Sequence, residues 1–586
     1  MVIVFCRCMA GSKKQNVLRI ILIAILTIMA GAGGYLVWLS YHYKHIMMRR
    51  LPEMVASGSD SVYHISFADI SVNIFKRRIT ITDLKLWPDL EQVKALKEQH
   101  RHTPPTLSTV EIASLEAWGI AWGDLVSKRS LDCDKAVVHD LKWKMICKPN
   151  QPDSTIIHDK ETTPYIGRTT VKSVSFLKPD ITYEYRGKSE HFTCNMKGGT
   201  ATLNSFVYNA DLTKDTSVFL YARSGKVRFD SFLFQKPSGH YSVVAPDLDF
   251  ETTPNTVTLE LVKIKHMVNH DPVTGKEKEN YNLGFPVIEL EGFNWNRLIT
   301  NGVLRIPVVT ASAPTIEIRY LRENATNGGR KGSYPNQLLL EVGLKTNIEE
   351  LNIKKGHFKY TEVTKKGDEG VILFTGISGR FSNITNIPKL IARNKLCRAN
   401  LEGNFMGKSH VVANFELGLA DNSGRFKMEG IVKNLEGNDI SQQAQVFTFV
   451  KATSFHLSHM DMHIEGDETY AKGNFKVLYE NLKISLFKFN SNEREGKHGL
   501  FAFAGSALVL YPSNPMPGKD IRTASTSFAR DTTLGFISVL WQSMYRAVKK
   551  TAVREQSIVT ISDGPETGKG EQPKKGFFKR LFGKKK

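Results

Sequence analysis

Along most of the chain, apolar and polar positions alternate with a period near two. In residues 62–87, VYHISFADISVNIFKRRITITDLKLW, Ile70, Val72 and Ile74 share one face, followed by Ile79 and Ile81 and then by Leu84 and Leu86. Alternation with β-branched enrichment predicts strands that bury one face. The same texture returns at 110–117, 137–146, 171–185, 202–208, 217–234, 241–251, 256–264, 286–291 and 315–320. It continues at 338–360, 371–384, 399–432, 446–464, 470–489 and 500–511. Turn-forming clusters stand between runs: Lys197-Gly198-Gly199, Arg223-Ser224-Gly225, Pro237-Ser238-Gly239 and Asp421-Asn422-Ser423-Gly424. Long helices do not alternate with these strands. That excludes a doubly wound parallel sheet and predicts an antiparallel meander of about 30 strands, roughly 140 Å across at ~4.8 Å per strand.

One unit repeats. GIAWGDLVSKRSLDCDKAVV around Trp122 and GFNWNRLITNGVLRIPVVTA around Trp295 superpose Gly119 on Gly292, Leu125 on Leu298, Leu131 on Leu304 and Cys133 on Ile306. Each copy reads as strand, short plug helix, strand, with Trp122, Leu125, Trp295 and Leu298 in the core. Repeats that add strands along one axis predict an elongated body. Near the C-terminus, Leu534–Val553 carries Ile537, Leu540, Trp541, Met544 and Val548 on one side, an amphipathic helix.

The N-terminus departs from this pattern. Ile20 to Ser40 contains no charged residue, and 21 residues of helix span about 31 Å, enough for a hydrocarbon core. Tyr35, Trp38, Tyr41 and Tyr43 form an interfacial belt at its far end. The apolar run passes the small-residue triplet Ala30-Gly31-Ala32, which favours an anchor over a cleaved signal peptide. The expected organisation is a cytoplasmic N-terminus (1–19), a transmembrane anchor (20–40), a linker (41–60) and an N-terminal β region (61–340). A C-terminal β module (341–515), a loop with the amphipathic helix (516–554) and a disordered basic tail (555–586) complete it. The tail ends in KKGFFKRLFGKKK; Phe577, Phe578, Lys579, Arg580 and Phe582 suit an anionic membrane surface, and a solubilising tail is the alternative.

Composition narrows the function. The 586 residues carry a net charge of +21 with 41% hydrophobic residues, so the chain is too apolar for wholesale disorder. The basic excess is spread along the body, and no zinc finger, helix-turn-helix or RNA-binding signature accompanies it, which argues against nucleic acid. Six cysteines are too few for a disulfide scaffold; Cys133 and Cys147 read as buried small residues. No phosphate-binding loop, nucleophile elbow or zinc-protease motif occurs. His459, Asp461 and His463 alternate along one strand face, as do Asp247, Asp249 and Glu251, and both sets read as solvated polar faces. Neither an enzyme nor a metal or cofactor is expected.

ISFADISVNIFKRRITITDLKLWPD directly after an anchor resembles the opening of the AsmA-like envelope proteins of Gram-negative bacteria. The units at 110–146 and 286–320 are similar to that family's strand–helix–strand element. IEELNIKKGHFKYTEV (348–363), GRFKMEGIVKN (424–434) and SALVLYPSNPMPGKDIRTA (506–524) look like its C-terminal module. The resemblance implies a long twisted β-sheet curled into an open groove, anchored in the inner membrane with its bulk in the periplasm. It also implies phospholipid movement between inner and outer membranes and a part in outer-membrane integrity. The strand pattern agrees, since one apolar face per strand can shelter acyl chains. Val227, Phe229, Val257, Leu259 and Leu261 are the expected groove-lining positions. The alternative is a structural or assembly factor that contacts outer-membrane or other envelope proteins through exposed strand edges.

Overall fold

The computed structural model describes residues 13–99, 101, 103–127, 130–148, 168–187, 191–209, 221–235, 242–245, 248–253, 256–270, 277–293, 297–298, 302–321, 324, 331–363, 367–440, 450–486 and 510–554. Among the described residues the chain is mainly β, and 26 strands join in one sheet. The first six are β1 (Tyr63–Ser66), β2 (Asp69–Asn73), β3 (Arg78–Pro88), β4 (Thr106–Trp118), β5 (Ser130–His139) and β6 (Lys142–Cys147). Then come β7 (Arg168–Leu177), β8 (Asp180–Arg186), β9 (His191–Lys197), β10 (Thr200–Asn209), β11 (Ala222–Phe229), β12 (Ser231–Gln235), β13 (Ser242–Ala245) and β14 (Leu248–Thr253). Longer strands follow: β15 (Thr256–His270), β16 (Glu277–Glu291), the broken pair β17 (Val303–Ser312) and β18 (Thr315–Leu321), β19 (Lys345–Val363) and β20 (Glu369–Thr385). The last six are β21 (Leu396–Phe405), β22 (Ser409–Gly418), β23 (Phe426–Glu436), β24 (Val450–Gly466), β25 (Tyr470–Leu486) and β26 (Thr523–Ala529).

Fourteen of these 26 strands lie end to end in seven pairs (β1/β2, β5/β6, β7/β8, β9/β10, β11/β12, β13/β14 and β17/β18), so the sheet has nineteen rungs. At ~4.8 Å per step that is about 86 Å, shorter than the expected 140 Å because half-strands share rungs. Backbone in the left-handed region marks many of the breaks: φ is 51° at Asp140, 52° at Lys178 and 50° at Ala313. Hydrogen bonds carry the crease from rung to rung, as in Asp140 N–H to Leu177 O (3.0 Å), Lys178 N–H to Gly199 O (3.0 Å) and Ala313 N–H to Lys354 O (2.7 Å).

Several expectations change. The sheet is mixed rather than antiparallel throughout: β5–β7, β6–β8, β17–β19 and β18–β19 pair in parallel. Each parallel step follows a long connection (148–167 and 322–344) that returns the chain to the start of a rung, as parallel pairing requires. The 41–60 linker is helical. α1 runs unbroken from Lys13 to Gly58, with Pro52 inside it, because 41–57 consists largely of tolerable helix formers. A helix α2 (Leu90–Glu98) stands where none was expected; Asp89 caps it by accepting from the Glu91 and Gln92 amides. α3 (Trp122–Ser127) is the first plug helix. α4 (Pro335–Leu340) replaces the start of the 338–360 strand, as Pro335 suits a helix start. α5 is a single turn (Pro388–Ile391), and α6 (Phe536–Ala552) is the amphipathic C-terminal helix. Arg223-Ser224-Gly225 is not a turn but part of β11. The 516–554 segment holds a strand, β26, as well as α6. The 340/341 boundary falls between β18 and β19, which are paired, so the two β modules share one sheet.

Two large apolar cores divide the molecule. The N-terminal one joins side chains from β2 to β17, with Tyr43, Met47 and Leu51 of α1 packed on it. The C-terminal one joins β18 to β26 and buries Val539, Leu540, Ala547 and Ala552 of α6. The residues 555–586, including the expected surface-binding tail, lie outside the described residues, as do Pro237-Ser238-Gly239 and most of 500–511.

Candidate functional site

The repeat holds at atomic detail. Gly119 and Gly292 both take positive φ (73° and 67°), which only glycine adopts without strain. A Cβ on Gly119 would meet Asp134, and one on Gly292 would meet Pro307, the residue at the equivalent position. Ile120 and Phe293 are buried, as are Cys133 and Ile306. Asp140 and Ala313, also equivalent, carry the same left-handed kink. Trp122 and Leu298 pack against the N-terminal core, and Leu125 is half-buried. Trp295 lies outside the described residues. Trp122 also stacks on Tyr43 of α1, with ring centroids 6.0 Å apart.

Pairing register aligns side chains that sequence spacing cannot. One row of directly opposed residues crosses twelve consecutive rungs, and every member is apolar. It runs Ile70–Ile81–Leu115–Val138–Phe176–Ala201 and continues Val227–Phe250–Leu259–Ile288–Ala311–Ile353. Eleven steps at ~4.8 Å make it about 53 Å long. The sheet bends back on itself beside this row. Tyr183 on the fifth rung donates its hydroxyl to the carbonyl of Leu298, between rungs ten and eleven, at 3.3 Å. A Cβ on Gly302 would sit 2.3 Å from the Tyr185 ring.

The expected groove positions are mostly closed. Val227, Phe229 and Val257 are 4%, 3% and 4% exposed and belong to the N-terminal core, so they are sealed rather than open to solvent. Leu259 is half-buried at its margin. Leu261 lies in β15, and its side chain is outside those described. The row is therefore filled by its own side chains at most rungs and half-open at Leu115, Phe176, Leu259, Ile288 and Ile353.

The other chemical candidates resolve into local pairs. His459 meets Asp461 at 2.8 Å, His463 meets Glu429 at 3.4 Å and His456 meets Glu436 at 2.6 Å. Among the described residues no group of three ligating side chains stands close enough for a metal ion. Cys133 and Cys147 are buried and unbridged, in separate apolar clusters. Burial pushes the Cys133 and Cys397 thiols up to about 11 and that of Cys194 to about 12.

Sequence reasoning missed the docking of α1. Lys44 pairs with Asp69 at 2.6 Å, and Ser40 accepts a hydrogen bond from the Ile74 amide at 3.2 Å. The Lys44 hydrogen bond and charge hold the Asp69 carboxyl below its ordinary range. The signal was present in the four-residue spacing of Tyr43, Met47 and Leu51, read as linker because it follows an apolar run. Among the described residues, no helix is long and apolar enough to cross a membrane. The side chains of 13–24, which hold part of the apolar run, are outside those described. Compared with known proteins, the chain matches no family model and no curated protein.

Proposed function

We propose that this chain is a membrane-anchored, non-enzymatic protein of the Gram-negative envelope that holds phospholipid acyl chains along the apolar side of its sheet. It would pass lipid between inner and outer membranes and so support outer-membrane integrity. The observation that carries this reading is the apolar row from Ile70 to Ile353. The row has no polar interruption over twelve rungs, and at its half-open members, Leu115, Phe176, Leu259, Ile288 and Ile353, it offers an acyl chain apolar contact at about 0.8 kcal/mol per buried methylene. Its half-buried members are where a lipid would replace solvent, giving an open groove along part of the row. The anchor is supported by side chains on α1 that water would penalise: Ile25, Met29, Val37, Trp38 and Tyr41 are all exposed. In this reading the N-terminus is cytoplasmic, the sheet is periplasmic, and the 577–582 segment adds a surface contact.

The test uses the full chain, exchanged out of detergent and examined by native mass spectrometry. Retained phospholipid is expected for the wild type and loss of it for a folded Leu259→Asp variant. A wild type without retained phospholipid overturns the reading. A second reading, assembly of envelope proteins through strand edges, is favoured by the sealing of Val227, Phe229 and Val257. It predicts protein adducts on crosslinking that Leu259→Asp leaves unchanged.

A further inference from the structure

The tip of the β2–β3 hairpin carries Phe75 at 81% exposure, the most exposed large apolar side chain among the described residues. Lys76 and Arg77 beside it are also exposed. Hydrogen bonds hold the tip. The Lys76 amide donates to Asn73 Oδ1 at 2.8 Å, and the Arg77 guanidinium donates to the carbonyls of Gly119 (2.7 Å) and Ile120 (3.0 Å). Two contacts give its direction relative to α1. Asp69, at the start of β2, meets Lys44, and Ile74, the residue after its end, meets Ser40. The β2–β3 tip therefore lies at the level of Ser40 along α1, one turn N-terminal to Lys44, and Trp38 and Tyr35 stand within the next turn and a half of the helix. Those two aromatic residues are themselves exposed, at 55% and 59%.

We infer that the β2–β3 tip is a second membrane contact, with Phe75 inserted at the headgroup level and Lys76 against anionic lipid phosphates. The inference rests on the reading of α1 as the anchor. The level it shares with the exposed apolar side chains of α1, and the charge beside Phe75, commit the site to an anionic bilayer rather than a protein. Two contacts, one helical and one at a hairpin, would fix the angle between sheet and membrane, which a single helix leaves free to rotate. They would also set the first rungs of the apolar row against the bilayer, because Ile70 lies on the same hairpin and Arg77 binds the loop that leads into α3.

The test places p-benzoyl-phenylalanine at position 75, 38 or 470 of the full chain, in nanodiscs of phosphatidylethanolamine and phosphatidylglycerol. Tyr470 is an exposed aromatic on a hairpin at the other end of the chain. After irradiation, mass spectrometry should find phospholipid adducts at 38 and 75 and none at 470. Lys76→Gln should cut the adduct yield at 75 about fivefold, the worth of one basic residue at an anionic surface. Adducts at 38 with none at 75 overturn the inference and leave the anchor standing. Absence at both positions overturns the anchor as well. An adduct at 75 that ignores both Lys76→Gln and replacement of phosphatidylglycerol by phosphatidylcholine overturns the anionic assignment.

Discussion

Gly292 and Ala313 show how much depends on single backbone positions. Gly292 has a positive φ and Pro307 Cγ stands 2.9 Å from where a Cβ would lie, so Gly292→Ala should destabilise by about 1–3 kcal/mol, read as a lower thermal midpoint. Ala313 is an alanine in the left-handed region at φ 50°. Replacing it by glycine relieves about 1–2 kcal/mol of steric cost and forfeits about 0.5–1 kcal/mol of chain entropy. Ala313→Gly is therefore expected to hold or raise the midpoint, where the same change in mid-strand lowers it; a clear loss would contradict the crease. Burial separates two aspartate variants in the same way. Phe229→Asp leaves an unpaired charge in a sealed core and should prevent folding, whereas Leu259→Asp, half-hydrated, should fold. Circular dichroism melts of the pair distinguish them. The repeat glycines were legible because a Trp and a Leu recur at fixed offsets from them. Gly225 was misread as a turn because its role is steric: a Cβ there would lie 2.8 Å from Leu203 Cδ2.

Strands and the C-terminal helix were legible because their periods are local. Parallel pairing was not, since it depends on where the connections 148–167 and 322–344 return the chain, and no residue in them announces that. α1 shows the same limit: its C-terminal half reads as linker until the sheet supplies a surface for Tyr43, Met47 and Leu51. The Lys44–Asp69 pair that fixes this half gives a pH dependence. The folded-state pKa of Asp69 lies below its ordinary 3.8, so its contribution is present above that value and lost as pH falls through the lower folded value. Hydrogen exchange over 44–51 should therefore quicken in the wild type as pH falls through that range, after correction for intrinsic rates. Asp69→Asn should show the faster exchange already at pH 6 and little further change. Equal protection in both proteins at pH 6 would remove the pair from the docking of α1.

At the scale of the whole molecule, nineteen rungs make one sheet with two faces of different character. Outward positions pair charge with charge, as in Arg398–Glu416 (3.1 Å) and Lys472–Glu465 (2.7 Å), while the inward row from Ile70 to Ile353 stays apolar. Alternation in the sequence foretold both faces. It could not foretell that the sheet bends far enough for Tyr183 to reach Leu298, nor that Val227, Phe229 and Val257 are sealed in the N-terminal core. The claim that acyl chains lie along this row is tested most directly by mapping where lipid touches the protein. Full-length protein in nanodiscs containing a phospholipid with a photoactivatable acyl chain is irradiated, digested and sequenced by mass spectrometry. The account predicts adducts on the half-buried row members, Leu259 and Ile288 first among them, in addition to those on α1. Adducts confined to α1 and the β2–β3 tip, with none on the row, would contradict it.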